Sequence, residues 1–234
     1  MIRIENLHKR FGKLQVLDGV TFEIEEEGVV AVLGPNGSGK TTILKTILGM
    51  VLPQDGEIYF DNQPVLNNWD YRNRIGYMPQ IARFPDNLTV RELIAMIKNI
   101  RDVTADEDAL IERFELQASM GKKLGQLSGG TKQKVNIVLT FMFDSPLLIL
   151  DEPTAGLDPV SLIRLKELIQ EEKAKGKTFL ITTHIMSLVE ELSDQIVFLL
   201  EGQIFFQGSV EALKAQTGQK NLEHSIAKIL ETDA

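Results

Sequence analysis

The sequence predicts an α/β fold with a parallel-sheet core, a small antiparallel β layer near the amino terminus and an inserted helical region. Three observations predict it. The run GVVAVLG (residues 28–34) is continuously apolar, as a strand buried on both faces of a parallel sheet must be. It leads directly into a glycine-rich stretch, GPNGSGKTT (34–42). From PLLILDE (146–152) onward, apolar strand-like runs alternate with helix-like segments, the pattern of βα units.

The elements follow in order. MIRIENL (1–7) alternates and reads as a strand, and VTFEIEEE (20–27) alternates with Phe22 and Ile24 on one face. After the glycine stretch, KTTILKTILGM (40–50) reads as a helix that Gly49 can end. GEIYFDNQPV (56–65) reads as one further alternating strand. Thr89 with Glu92 fits a capping box before the helix VRELIAMIKNI (90–100). DEDALIERFEL (106–116) has helical spacing, with Leu110, Ile111 and Phe114 as its apolar side. TKQKVNIVLTFMF (131–143) reads as a long helix whose later half is almost wholly apolar and therefore buried. Asp158 and Pro159 start a helix over 160–176 that Gly176 ends. KTFLITTH (177–184) is a strand, SLVEELS (187–193) a helix, and DQIVFLLEGQIFFQG (194–208) a hairpin turning at Glu201 and Gly202. A short helix and a weaker one follow. The expected organisation is one domain over 1–234: a core with its β layer at 1–84 and 144–208, a helical insertion at 85–143 and a helical tail at 209–234.

Composition narrows the function. The chain has 234 residues and a formal charge of −8, so non-specific binding to nucleic acid or anionic lipid is disfavoured, and no nucleic-acid partner is expected. It has no cysteine, which excludes disulfides, thiolate metal sites and a cysteine nucleophile. The amino terminus reads as a strand and not as a leader, and no apolar run is long enough to span a membrane. A cytoplasmic location is the expectation.

The motifs carry the chemistry. Gly34, Gly39, Lys40 and Thr41 fit G-x-x-x-x-G-K-[ST]; Pro35, Asn36, Gly37 and Ser38 fill the loop, and Thr42 continues the helix. Such a loop curls its N–H groups around phosphate oxygens, while the lysine adds charge and Thr41 a hydroxyl for Mg²⁺. Asp151 and Glu152 place two carboxylates at the carboxyl end of a buried strand, the edge where open parallel sheets bind ligands. Asp151 can hold Mg²⁺ through water, and Glu152 can accept a proton from the attacking water. His184 ends a core strand, where it can donate to a phosphate; a structural histidine is the plainer reading. Gln80 by itself is a polar loop residue. Phe11 reads most simply as a core or hairpin aromatic, with stacking on a flat adenine as the alternative. LSGGTKQK (127–134) is a second helix start behind glycines, with the hydroxyl of Ser128 beside Gly129 and Gly130. Two phosphate-facing helix starts in one chain make sense if two copies meet head to tail, each capping the nucleotide held by the other.

In this arrangement the sequence resembles the nucleotide-binding subunits of ABC transporters over nearly its whole length. The matching segments come in that family's order: the aromatic-loop Phe11, the Walker A loop 34–42, the Q-loop Gln80, the signature 127–131, the Walker B strand 147–151 with Glu152, the D-loop AGLD at 155–158 and the switch His184. The resemblance implies a P-loop NTPase core of the RecA type and an ATPase that uses ATP and Mg²⁺. It implies that Phe11 stacks on adenine, that Thr41, Gln80 and Asp151 surround Mg²⁺, that Glu152 is the catalytic base and that His184 holds the γ-phosphate. Ser128 and Gly130 would reach that phosphate across a homodimer, with Asp158 at its seam. A separate transmembrane permease subunit would hold the chain on the inner face of the membrane. The family signature usually ends in Gln, and Thr131 stands there instead, so altered contact with the partner's nucleotide is expected.

Other ATPases of this type serve DNA repair, with a long coiled coil between Walker A and signature, or translation, with two nucleotide domains in one chain; this sequence has neither feature. A nucleotide sensor without turnover is disfavoured by the presence of both Glu152 and His184. The segment 71–94, YRNRIGYMPQIARFPDNLTVRELI, resembles the ATPase of copper-processing systems, the type associated with maturation of nitrous oxide reductase. Lacking cysteine and having three scattered histidines, the chain would not carry copper itself.

Overall fold

The computed structural model describes residues 1–25, 27–101 and 103–232. They form two compact units, Met1–Arg72 with Thr178–Ala234, and Asn73–Lys177. The first stretch begins with β1 (Ile2–Phe11) and β2 (Leu14–Ile24), an antiparallel hairpin. β2 starts well before the segment read as a strand, and Glu26 of that reading lies outside the described residues. β3 (Gly28–Leu33) is buried at every position, as its continuous apolar run requires. α1 (Lys40–Ile47) follows the glycine loop, and Gly49 stands just past its end at φ 64°. The segment read as one strand over 56–65 is a hairpin, β4 (Asp55–Phe60) and β5 (Gln63–Pro64). Asp61 and Asn62 turn it with φ of 48° and 61°, a conformation these two residue types tolerate. The sequence alternation runs through that turn unbroken, which hides it.

The second unit opens with β6 (Ile75–Met78) and α2 (Val90–Arg101). The capping box of α2 is complete. The Glu92 carboxylate accepts from the Thr89 N–H at 2.8 Å and hydroxyl at 2.9 Å, and the Thr89 oxygen accepts from the Glu92 N–H at 3.2 Å. α3 (Asp108–Arg113) is shorter than the helical pattern over 106–116, because Glu115 turns left-handed at φ 55°. Leu110, Ile111 and Phe114 are buried as expected. α4 (Gly129–Phe141) includes both glycines that the sequence reading placed before the helix, since Ser128 caps it by accepting from the Thr131 N–H at 3.3 Å. β7 (Leu147–Asp151) is wholly buried and pairs parallel with β6. α5 (Pro159–Ala174) is capped by Asp158, with Pro159 in its first turn, and Arg113 joins α3 to it through Glu167 and Glu171.

The chain then returns to the first unit with β8 (Thr178–Thr182), α6 (Met186–Leu192), β9 (Gln195–Leu200), β10 (Gln203–Gly208), α7 (Val210–Thr217) and α8 (Leu222–Thr232). β3 lies between β8 and β9 and is parallel to both, while β9 and β10 form the expected hairpin, turning at Glu201 and Gly202 with φ of 47° and 79°. The antiparallel layer is ordered β2-β1-β4-β5. The tail is built into the core: Val210, Leu213, Leu222, Ile226 and Ile229 share one buried cluster with Leu33 and Phe198. Asp233 and Ala234 lie outside the described residues. Among those described, no helix is long and apolar enough to cross a membrane.

The cap on α2 gives a pH-dependent test. The Thr89 N–H and hydroxyl hold the Glu92 carboxyl below the usual carboxylate range. A depressed carboxylate contributes stability above its unfolded pKa and loses it as the pH falls through its folded value. Thr89→Ala should lower the unfolding free energy by about 1 kcal/mol at neutral pH. The difference from wild type should shrink when urea melts are repeated at acid pH.

Candidate phosphate-binding and hydrolytic site

The first unit carries the glycine loop. Gly34, Gly37 and Gly39 have φ of 150°, 85° and 107°, a region that favours glycine. Space also demands glycine at two of them. A Cβ at Gly34 would lie 2.2 Å from the Leu199 carbonyl oxygen and 2.6 Å from Ser38 Oγ; at Gly39 it would lie 2.7 Å from Leu17 and 2.8 Å from the Val16 carbonyl oxygen. Lys40 folds over the loop, its Nζ donating to the carbonyls of Gly34 at 2.8 Å and Pro35 at 3.0 Å. Gly39, at the start of α1, has no side chain to cap it, and a helix start left bare in this way favours an anion. Ser38 is buried, and its hydroxyl has no hydrogen-bond partner among the described residues. A cradle of this kind, with a buried unpartnered hydroxyl and a lysine over it, fits a bound phosphate chain.

Two further residues of the first unit were singled out by sequence. Phe11, read most simply as a core or hairpin aromatic, is a hairpin residue, 51% exposed at the tip of β1, with Lys9 Nζ 4.8 Å from its ring centre. The β1–β2 turn holds it outward, with the Lys9 ammonium over the ring. His184 is exposed just beyond β8 and precedes α6.

The second unit carries the carboxylates and the signature. Asp151 ends β7 and is 3% exposed. Burial first, and the nearby Asp151 carboxylate second, push the Tyr77 hydroxyl on β6 up to about 12. Glu152 is buried and left-handed at φ 49°, a strained conformation for a residue with a side chain. Gln80 is exposed two positions beyond β6. Ser128 and Gly129 are exposed at the start of α4, and the Ser128 and Thr131 hydroxyls are 2.9 Å apart. Gly130 packs on the D-loop: a Cβ there would lie 2.8 Å from the Gly156 carbonyl oxygen. Asp158 is held locally. It accepts from the Ser161 N–H at 2.9 Å, lies 3.0 Å from Lys134 Nζ and accepts from the Ser161 hydroxyl at 2.8 Å. Those three donors keep its carboxyl well below the usual range.

Sequence reasoning missed Gln133, Asn136 and Thr140. All three are buried on α4, which reads as almost wholly apolar in its later half. Gln133 donates to the Pro153 carbonyl at 3.2 Å, Asn136 to the Pro79 carbonyl at 3.0 Å and Thr140 to the Asn136 carbonyl at 2.8 Å. Polar residues spaced three and four apart on an apolar helix were the available signal.

Comparison with known proteins identifies the whole. A family profile described as ABC transporter matches residues 17–155. The uncharacterized ABC transporter ATP-binding protein YhaQ of Bacillus subtilis (strain 168) is 33% identical over 227 residues, spanning 95% of this chain and 76% of that protein. A solved ATP-binding subunit of an ABC transporter superposes with a TM-score of 0.92 at 29% identity, over 98% of this chain and 99% of the other. A dimeric ATP-binding cassette in a post-hydrolysis state, bound to ADP and Pi, superposes with a TM-score of 0.80 at 26% identity, over 89% and 98%. The glycine cradle, the buried strand-end carboxylates and these likenesses agree: the chain belongs to the ABC transporter family, as an ATP-binding, ATP-hydrolysing motor subunit with the P-loop NTPase fold.

Proposed function

We propose that the motif residues of this chain divide the hydrolysis of ATP as follows. The glycine loop 34–42 holds the phosphates by its N–H groups, and Lys40 neutralises their charge. Phe11 stacks on adenine. Thr41, Gln80 and Asp151 present a hydroxyl, an amide oxygen and a carboxylate oxygen. That hard oxygen set suits Mg²⁺, which when bound would supply charge to the phosphate oxygens. Glu152 accepts a proton from the attacking water as water oxygen bonds to the γ-phosphorus and the bond to the ADP oxygen breaks. His184 donates to the γ-phosphate.

The observation that carries this reading is Glu152 itself, a left-handed carboxylate directly after the buried Asp151. Strain at a strand end persists where the surrounding structure demands it, and a base must be aimed. Glu152→Gln should keep ATP binding, lower the turnover number about a hundredfold or more, and accumulate an ATP-bound dimer. Normal turnover in this variant would show that the base lies elsewhere.

The signature completes the site of a second copy. Ser128, Gly129 and Gly130 would reach the γ-phosphate bound by the other subunit, with Asp158 at the seam. Thr131 in place of Gln leaves those three intact and changes only the contact beside them. The dimeric relative bound to ADP and Pi supports this reading.

A separate membrane permease would be driven through the surface next to Gln80. Of the three apolar residues at this junction, Ile81 is 61% exposed, while Phe84 and Leu88 are partly buried. Met96 and Ile100 on α2 add exposed apolar surface in the same unit. Ile81→Asp should leave folding and basal ATP hydrolysis intact and release the subunit from membranes that contain its permease. Co-sedimentation measures this, and undiminished binding would remove Ile81 from the interface. Membership of the copper-processing group is a second reading, supported by segment 71–94 alone; the identity of the permease partner decides it.

A further inference from the structure

Each of the two strand ends in the second unit is followed by a proline at a short distance. β6 ends at Met78 and Pro79 follows; β7 ends at Asp151, and Pro153 follows Glu152. Proline has no N–H to continue a ladder, so the chain must leave the sheet near these points. Its carbonyl still needs a donor when buried. In both cases the donor is a side-chain amide of α4. Asn136 Nδ2 donates to the Pro79 carbonyl at 3.0 Å, and Gln133 Nε2 donates to the Pro153 carbonyl at 3.2 Å. The two amides lie one helical turn apart, with Asn136 Nδ2 3.5 Å from Gln133 Oε1. Gln133 is 4% exposed and Asn136 3%. The peptides they hold adjoin Gln80 on one side and Glu152 on the other.

Burying two amides in an apolar helix face is costly unless their hydrogen bonds are made. Leucine or methionine would fill the same space without that requirement. The amides therefore have a job that packing does not explain. They also sit on the helix whose amino end is the signature, so one rigid element touches three motif segments. We propose that Gln133 and Asn136 are positioning residues, holding the strand-end peptides beside Gln80 and Glu152 in fixed register with the signature on the same helix. The inference rests on the roles given above to Gln80 and Glu152. It adds that the aim of the base depends on α4, so the element that meets the second copy also sets the base. No bond is made or broken at the amides; they act by holding backbone carbonyls.

The test uses the full chain with Gln133→Met, Asn136→Leu and the double variant. ATP affinity should stay within about twofold, since the glycine loop is untouched, and the turnover number should fall about tenfold or more, as small misplacements of reacting groups do. The double variant should be no slower than the slower single variant, because the amides act as a unit. In Gln133→Met the loss should fall on the turnover number while KM for ATP stays within about twofold, the mark of an interaction made only in the transition state. Normal turnover in both folded variants would overturn the proposal. So would a loss that follows thermal stability and comes with an equal rise in KM for ATP. Should an apolar variant fail to fold, hydrogen exchange on the wild type decides. Ala155 and Leu157 amides exchanging as slowly as the middle of α4 support the relay, and exchange about a hundredfold faster overturns it. The underlying reading fails separately. Wild-type turnover by Glu152→Gln would remove the base and the relay together, whereas an inactive Glu152→Gln beside normal Gln133 and Asn136 variants removes the relay alone.

Discussion

An α-helix cannot bond its own first N–H groups, and most of this chain's functional surface follows from where that deficit is left. α1 begins behind Gly39, which has no side chain to cap it. The loop before it is forced into left-handed turns that only glycine fits, at Gly34 and Gly39 against the backbone of Leu199 and Val16. Lys40 lies over that loop, donating to the carbonyls of Gly34 and Pro35. α4 begins differently. Ser128 caps it, and two glycines keep its first turn bare, with Gly130 so close to the Gly156 carbonyl that a larger residue would not fit. The cradle and the cap lie in separate compact units of the chain.

Around the residues proposed for hydrolysis the chain is buried. β3 and β7 are buried along their length, so the glycine loop and the carboxylates spring from fixed bases. The left-handed turn at Glu152 is bracketed by buried Asp151 on one side and by Pro153, whose carbonyl is taken by Gln133, on the other. Asp158 spends its carboxylate on the start of α5 and on Lys134, tying the D-loop to the helix that carries the signature. The groups that would meet ligand or partner, by contrast, are exposed: Phe11, Gln80, Ser128 and His184.

Much of this was legible in the sequence. Continuous apolar runs announced β3 and β7 because strands buried on both faces leave no choice of residue. The capping box at Thr89 and the Asp158–Pro159 start announced their helices because local hydrogen bonding is written locally. What stayed hidden depends on tertiary surroundings. The Asp61–Asn62 turn interrupts neither alternation nor composition. Phe11 is apolar in a strand, and only the hairpin's position shows that its ring faces outward. Gln133 and Asn136 lie in a helix otherwise built for burial, and their purpose is visible only once Pro79 and Pro153 are found opposite them. The left-handed backbone of Glu152 could not be read from its residue type.

The central claim is that the signature of one copy serves the glycine loop of another. Mixing Lys40→Ala chains with Ser128→Arg chains tests it most directly. Each variant alone should be inactive. In a mixed dimer, the intact loop of the second chain meets the intact signature of the first, so one complete site re-forms and ATP hydrolysis returns. Mixed dimers verified by mass, with both chains folded and no recovered hydrolysis at any ratio, would contradict a site shared between two copies.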